Sequence, residues 1–179
     1  KKGIIVMSHG MGVTSDYYIP EILWLVEHGY RVMTFDNTGY GDNPGCFNGT
    51  LQAVYDLKAA IGYAEQYQLP ITLFGHSMGG YAVCAVLNYA DVTVDKVVSA
   101  AGFATVREIV HLYAVSNIKK ISFLVELLIL TAQFIHFGER NRFSAIDGIN
   151  RSRSKILIAQ GKNDKEVLWD RVSIYSKQE

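Results

Sequence analysis

Short, almost wholly apolar runs alternate along this chain with longer segments whose apolar residues recur at helical spacing. Five runs read as buried β-strands: residues 3–8, 31–35, 71–74, 96–100 and 155–159. Their nearly continuous hydrophobicity fits strands covered on both faces, since a strand with one face in water alternates apolar and polar positions. Three stretches between them predict helices. Residues 18–28 keep helical spacing and stop at Gly29, residues 51–67 follow Thr50 as N-cap and are blocked by Pro70, and residues 78–89 are small and apolar. Strands that alternate with helices in this way build a parallel sheet with helices on its faces.

The stretch 103–154 breaks the rhythm. It separates two strands by far more residues than an α/β crossover needs. Its pattern is helical and oily, with Ile109-Val110-His111-Leu112, Phe123-Leu124-Val125, Leu127-Leu128-Ile129-Leu130 and Phe134-Ile135. Residues 103–153 read as a helical cap inserted into a core of residues 1–102 and 154–179; the alternative is two ordinary core helices. The most apolar window, 121–137, is interrupted by Glu126, Gln133 and His136. It is shorter than the roughly 20 residues a membrane span needs, so no stable span is expected.

Composition narrows the function classes. With 179 residues the chain suits one domain plus a small insert, and 49% apolar residues suffice for a buried core, which excludes disorder. Lysine plus arginine equals aspartate plus glutamate at 17 each. No basic field therefore points to nucleic acid or to an anionic membrane, and no nucleic-acid partner is expected. Cys46 and Cys84 have neither metal nor redox spacing and read as two unpaired thiols. Lys1-Lys2-Gly3 runs directly into Ile4-Ile5-Val6, too short an apolar stretch for a signal peptide. A cytoplasmic protein is expected, with a removed leader left open.

The strongest chemical signal is Gly75-His76-Ser77-Met78-Gly79-Gly80. It fits G-x-S-x-G, directly after an apolar strand and directly before a helix. A nucleophilic serine has to project from a sharp strand-to-helix turn with φ above zero. Small residues two before and two after it, here Gly75 and Gly79, let strand and helix approach without clash. The helix N-terminus then sets free N–H groups and positive dipole beside the hydroxyl.

With these residues the chain resembles the α/β-hydrolase superfamily, in the style of its esterase, lysophospholipase and serine-aminopeptidase-like members. Three further motifs carry the likeness. Ser8-His9-Gly10-Met11-Gly12 follows the first strand as the family's H-G-x-G oxyanion loop does. Phe35-Asp36-Asn37-Thr38-Gly39-Tyr40-Gly41 resembles the D-x-x-G-x-G turn after the next strand. Ile158-Ala159-Gln160-Gly161-Lys162-Asn163-Asp164 resembles the G-x-x-D segment where the triad acid leaves a late strand. All four stand in family order at the C-terminal ends of predicted strands, the edge where open parallel sheets bind ligands.

The resemblance implies a three-layer α/β/α sandwich with a mostly parallel sheet and a helical cap. It implies hydrolysis of a small-molecule ester or acyl substrate through an acyl-enzyme, with no cofactor and no metal. Ser77 would be the nucleophile and Asp164 the acid that orients a histidine. The backbone N–H groups of Met11 and Met78 would form the oxyanion hole. His9, Gly10, Gly75, His76 and Gly79 would support the two loops, and Asp36 would tie down its turn. Asp147, Glu166 and Asp170 are alternative acids; Asp164 is preferred because it follows a strand and the Gln160-Gly161 turn.

The family places its histidine after the acid, and residues 165–179 hold none. The five histidines are His9, His28, His76, His111 and His136. His9 and His76 belong to the loops, His28 closes a predicted helix, and His111 and His136 read as packing or surface residues of the cap. The catalytic histidine is thus expected outside this chain. The strand bearing H-G-x-G begins at residue 3, where the family usually has strands before it, so the resemblance implies shortening at both ends. The oily cap implies an apolar acyl or aryl group in the substrate. The scaffold also hosts thioesterases, amidases, carbon–carbon hydrolases and haloperoxidases, and a ligand-binding member without catalysis is the competing reading. Oligomeric state is not encoded in any of these features.

Overall fold

The computed structural model describes residues 1–118 and 121–177. The cap range 103–153 and the core range 154–179 therefore each include two positions outside the described residues, 119–120 and 178–179. Five strands, β1 (Ile4–Ser8), β2 (Arg31–Thr34), β3 (Ile71–His76), β4 (Lys96–Ala100) and β5 (Lys155–Ala159), form one sheet in the order β2-β1-β3-β4-β5. Every pairing is parallel. β3 runs two residues past its expected end because Gly75 and His76 still pair with Ser99 and Ala100 of β4. It therefore delivers the chain straight to Ser77.

Successive strand residues face opposite sides of a sheet, so each strand feeds two cores. On one side Ile5 and Met7 pack with Tyr18, Ile22 and Leu25 around α1 (Ile19–Glu27). On the other, Ile4, Val6, Leu73 and Val97 join Leu57, Ile61, Tyr81 and Val83 from α2 (Leu51–Glu65) and α3 (Met78–Ala85). This is a three-layer α/β/α sandwich. A 3-10 turn, Ser15–Tyr18, leads into α1, so the helix begins one residue later than the spacing predicts, with Pro20 in its first turn. Gly29 stops it at φ 89. α3 is buried along its whole length, which its Met-Gly-Gly-Tyr-Ala-Val-Cys-Ala sequence permits because four of the eight side chains are hydrogen or methyl.

Between β4 and β5 lie α4 (Val106–Ile118), α5 (Ser122–Phe137), a 3-10 turn (Gly138–Arg142) and α6 (Ala145–Arg151). α4 and α5 pack on each other, joined by His111 Nδ1 and Glu126 Oε2 at 2.7 Å. The far end of α5 reaches α2, where Phe137 stacks on Tyr55 with ring centres 5.5 Å apart. α6 belongs to the core layer: it sits against α3, and the Tyr81 hydroxyl donates to the Phe143 carbonyl just before it at 2.8 Å. Much of the oily side of α5 stays open, with Phe123 and Ile135 each 76% exposed. By length and composition alone the helical run Ser122–Arg151 could cross a membrane. It exceeds the apolar window read from sequence because the 3-10 turn and α6 continue it.

Burial holds several acidic groups in their protonated forms. It pushes the Cys84 thiol up from 9.0 to about 12, and Tyr89 and Tyr113 from 10.0 to about 12. An unfolded chain would release those protons earlier. It then binds fewer protons than the folded chain, so stability falls as pH rises. We expect full stability below about pH 9 and a steady loss above it, read as a urea midpoint that is flat up to about pH 9 and falls from there towards about pH 12. A flat profile would contradict the burial of these groups.

Candidate active site

From β1 the chain runs to β2 on one side, and β3 and β4 lie on the other. A crevice therefore opens at the C-terminal ends of β1 and β3, the point where strand order reverses and where open α/β sheets bind ligands. Ser8 and Gly75 are register partners across that pair, so the loop after β1 and the turn after β3 start level with each other.

Ser77 is the single residue between β3 and α3, at φ 54 and ψ −115. A non-glycine residue in that region is strained and persists only where the surroundings fix it. Its N–H donates to the Ala100 carbonyl at 2.9 Å, and its carbonyl accepts from Tyr81 N–H at 3.0 Å. The neighbouring glycines are steric requirements. A Cβ at Gly75 would collide with the Gly79 carbonyl, and one at Gly79 with the Ser8 carbonyl. Met78 opens α3, so its N–H has no acceptor within the helix.

The loop after β1 is tied from three sides. His9 is buried, accepts from the backbone N–H of Asn37 through Nε2 at 2.9 Å, and bonds the Gly10 carbonyl through Nδ1 at 2.7 Å. Since Nε2 is an acceptor, the ring proton sits on Nδ1 and donates to Gly10. Asp36 Oδ1 accepts from Ser15 N–H at 2.7 Å, so this carboxylate binds the two loops together. Tyr18 Oη accepts from Gly10 N–H at 3.1 Å and lies 2.9 Å from His76 Nδ1. Met11, at the tip of the loop, is 51% exposed.

A cavity of about 240 Å³ brings Gly10, Met11, Tyr18, His76, Ser77 and Asp164 together. Asp164 arrives on the loop after β5. Its Oδ1 accepts from the N–H groups of Glu166 and Val167, both at 2.9 Å, and its Oδ2 from Gln160 Nε2 at 3.1 Å. Of the alternative acids, Glu166 lines the cavity, whereas Asp147 lies in the first turn of α6. Among the described residues no histidine is hydrogen-bonded to Ser77 or to Asp164, and none of residues 103–153 lines this cavity. α4 does reach its rim, where the Tyr113 hydroxyl donates to Glu166 at 3.3 Å. No group of three or more potential metal ligands occurs among the described residues.

Two cavity residues are not singled out by the sequence reading, Tyr18 and Ala101. Tyr18 reads as the start of an amphipathic helix, and nothing in its spacing from Gly10 or His76 indicates that their loops converge on it. Ala101 follows β4 at φ 52 and lines the cavity beside Ser77. The small Ala101-Gly102 pair was the sole hint of that second strained turn.

A family model described as serine aminopeptidase S33 matches residues 1–174. A provisionally named monoglyceride lipase of Schizosaccharomyces pombe is 35% identical over 83 residues, 42% of this chain and 22% of that protein. A non-heme haloperoxidase of Rhodococcus erythropolis is 33% identical over 76 residues, 42% of this chain and 28% of that protein. Among solved structures, an esterase of Pyrococcus furiosus superposes with a TM-score of 0.69 at 18% identity, over 96% of this chain and 66% of that one. At that identity the likeness speaks for the fold alone. The matches thus span under a third of both curated relatives and about two thirds of the esterase.

The contact between Gly79 and Ser8 supplies a direct test of the turn. We expect Gly79→Ala to destabilise the protein by about 3 kcal/mol, the upper end for overpacking, because the obstacle is backbone. Gly62→Ala, where a Cβ meets nothing within 4 Å, should leave stability unchanged or raise it slightly. Thermal or urea unfolding of the two variants checks both.

Proposed function

The chain belongs to the family described as serine aminopeptidase S33, an α/β-hydrolase family, and on that premise we propose that it is the nucleophile-bearing part of a serine hydrolase acting on carboxylic esters. The observation that carries this reading is Ser77 held in a left-handed turn at a cavity it shares with Asp164. Ser77 Oγ attacks the acyl carbonyl and its proton passes to a histidine oriented by Asp164. The carbonyl oxygen, now an oxyanion, takes hydrogen bonds from Met11 and Met78 N–H. Collapse expels the alcohol, which takes the proton from the imidazolium and leaves the acyl group on Ser77. Water, activated by the same imidazole, releases the acid and regenerates the serine. In this reading the histidine comes from outside residues 1–179: among the described residues His76 alone of the histidines lines the cavity, and its Nδ1 is held by Tyr18. Met11, Val13 and Val167, apolar residues lining the cavity, support an apolar acyl or aryl group in the substrate.

One observation favours a second reading. Among the described residues, every hydrogen bond to the Asp164 carboxylate comes from its own loop or from Gln160. A ligand-binding member of the family would have no use for a histidine partner there.

A fluorophosphonate probe and short aryl esters separate the two. In the natural polypeptide we expect labelling at Ser77 and ester turnover, both abolished by Ser77→Ala. Asp164→Asn should lower kcat by roughly 10⁴-fold, as expected for loss of the group that sets the histidine tautomer. Residues 1–179 alone should react slower by several orders of magnitude, because an alcohol without a base is a weak nucleophile. A folded natural polypeptide inert to both reagents would favour ligand binding.

A further inference from the structure

The hydrolase reading gives Tyr18 and His76 no step in the reaction, yet the two sit between the loops that carry the oxyanion donors. Gly10 directly precedes Met11, and His76 lies two residues before Met78. Tyr18 is only 6% exposed, and its hydroxyl meets both loops at once: Gly10 N–H at 3.1 Å and His76 Nδ1 at 2.9 Å. Among the described residues no other side-chain hydrogen bond joins these loops. We propose that Tyr18 is a positioning residue, which sets the spacing of the two oxyanion donors and holds the ring proton of His76 on Nε2.

The proton assignment follows from counting donors. A backbone N–H can only donate, so Tyr18 Oη is an acceptor towards Gly10. Its own proton remains to be placed. Burial raises the Tyr18 phenol above its ordinary pKa, which keeps that proton in place across the physiological range. The one ring nitrogen within reach is His76 Nδ1. If Nδ1 carried a proton, two donors would face one oxygen and the hydroxyl proton would have no protein acceptor, a costly arrangement in a buried site. Nδ1 is therefore the acceptor and Nε2 bears the hydrogen.

The geometry leaves little slack. A Cβ at Gly10 would lie 3.4 Å from both His76 Nδ1 and Tyr18 Oη, so the three groups are already in close contact. The Tyr18 and His76 rings meet edge to face, 6.0 Å between centres at 63°. Oxyanion donors work only when held within a few tenths of an ångström of the productive geometry. A short bridge between their loops is thus worth more to the rate than its modest share of stability.

The inference rests on the hydrolase reading, and its test keeps the two apart. In the natural polypeptide, the rate of Ser77 phosphonylation by a fluorophosphonate would be measured for wild type, Tyr18→Phe, His76→Leu and the double variant. Nitrogen-15 spectra of the imidazole rings in wild type and Tyr18→Phe would report the tautomer of His76. We expect each single variant to react about tenfold slower, and the double variant no slower than Tyr18→Phe, because either change breaks the bridge between the two loops. Wild-type His76 should show a proton-bearing Nε2 and a bare Nδ1, with the distinction lost in Tyr18→Phe. A merely structural tyrosine would not move that tautomer. Labelled wild type with an unchanged rate in Tyr18→Phe, or a proton on Nδ1 in wild type, overturns the inference alone. An unlabelled wild-type Ser77 overturns the hydrolase reading, and the kinetic role of Tyr18 falls with it. Should Tyr18→Phe fail to fold, the wild-type tautomer still decides.

Discussion

A single residue, Ser77, separates the end of β3 from the start of α3, and that reversal brings helix backbone into contact with the ends of β1 and β4. The contact tolerates no side chain at three positions. Gly75 faces the Gly79 carbonyl, Gly79 faces the Ser8 carbonyl, and a Cβ at Gly80 would lie 2.9 Å from the Ala100 carbonyl. Because the helix is pressed this closely onto the sheet, the residue at the turn has no freedom to relax, and Ser77 stays at φ 54. The whole of α3 is buried as a consequence, and α6 can seat against it in the next layer.

The loops around Ser77 are then held by polar ties that radiate from the same place. His9 and Asn37 join the turns after β1 and β2, Asp36 binds the start of the 3-10 turn, and Tyr18 spans from Gly10 to His76. Most of these bonds join a backbone group to a side chain, Tyr18 to His76 joins two side chains, and all are at least partly buried, where a lost partner costs more than the bond itself contributes. They explain why a site built almost wholly of loops keeps a defined shape. The Asp164 carboxylate is held in the same manner by two backbone N–H groups.

The strands and the motif-bearing turns could be read from the chain because their physics is local. Runs such as Ile4-Ile5-Val6 and Lys155-Ile156-Leu157-Ile158 encode strands covered by helices, and glycines around Ser77 encode a sharp turn. What stayed hidden depends on contacts between distant segments. Tyr18 looks like any amphipathic helix start until the fold sets it beside His76, 58 residues away. Ala145 and Gly148 look like part of an oily insert until α6 settles on α3. The exposed face of α5 was unreadable for the same reason: apolar spacing says which residues share a side, and not whether anything covers it. Phe123 and Ile135 share that helix with the buried Gln133.

The central claim is that the turn after β3 and the loop after β1 form one oxyanion-binding site around Ser77. A crystal structure of the phosphonylated natural polypeptide tests it most directly. The account predicts a covalent bond from Ser77 Oγ to phosphorus, with the phosphoryl oxygen about 2.7–3.1 Å from the N–H groups of both Met11 and Met78. A phosphoryl oxygen turned away from these two groups, or phosphorus attached to a different residue, would contradict it.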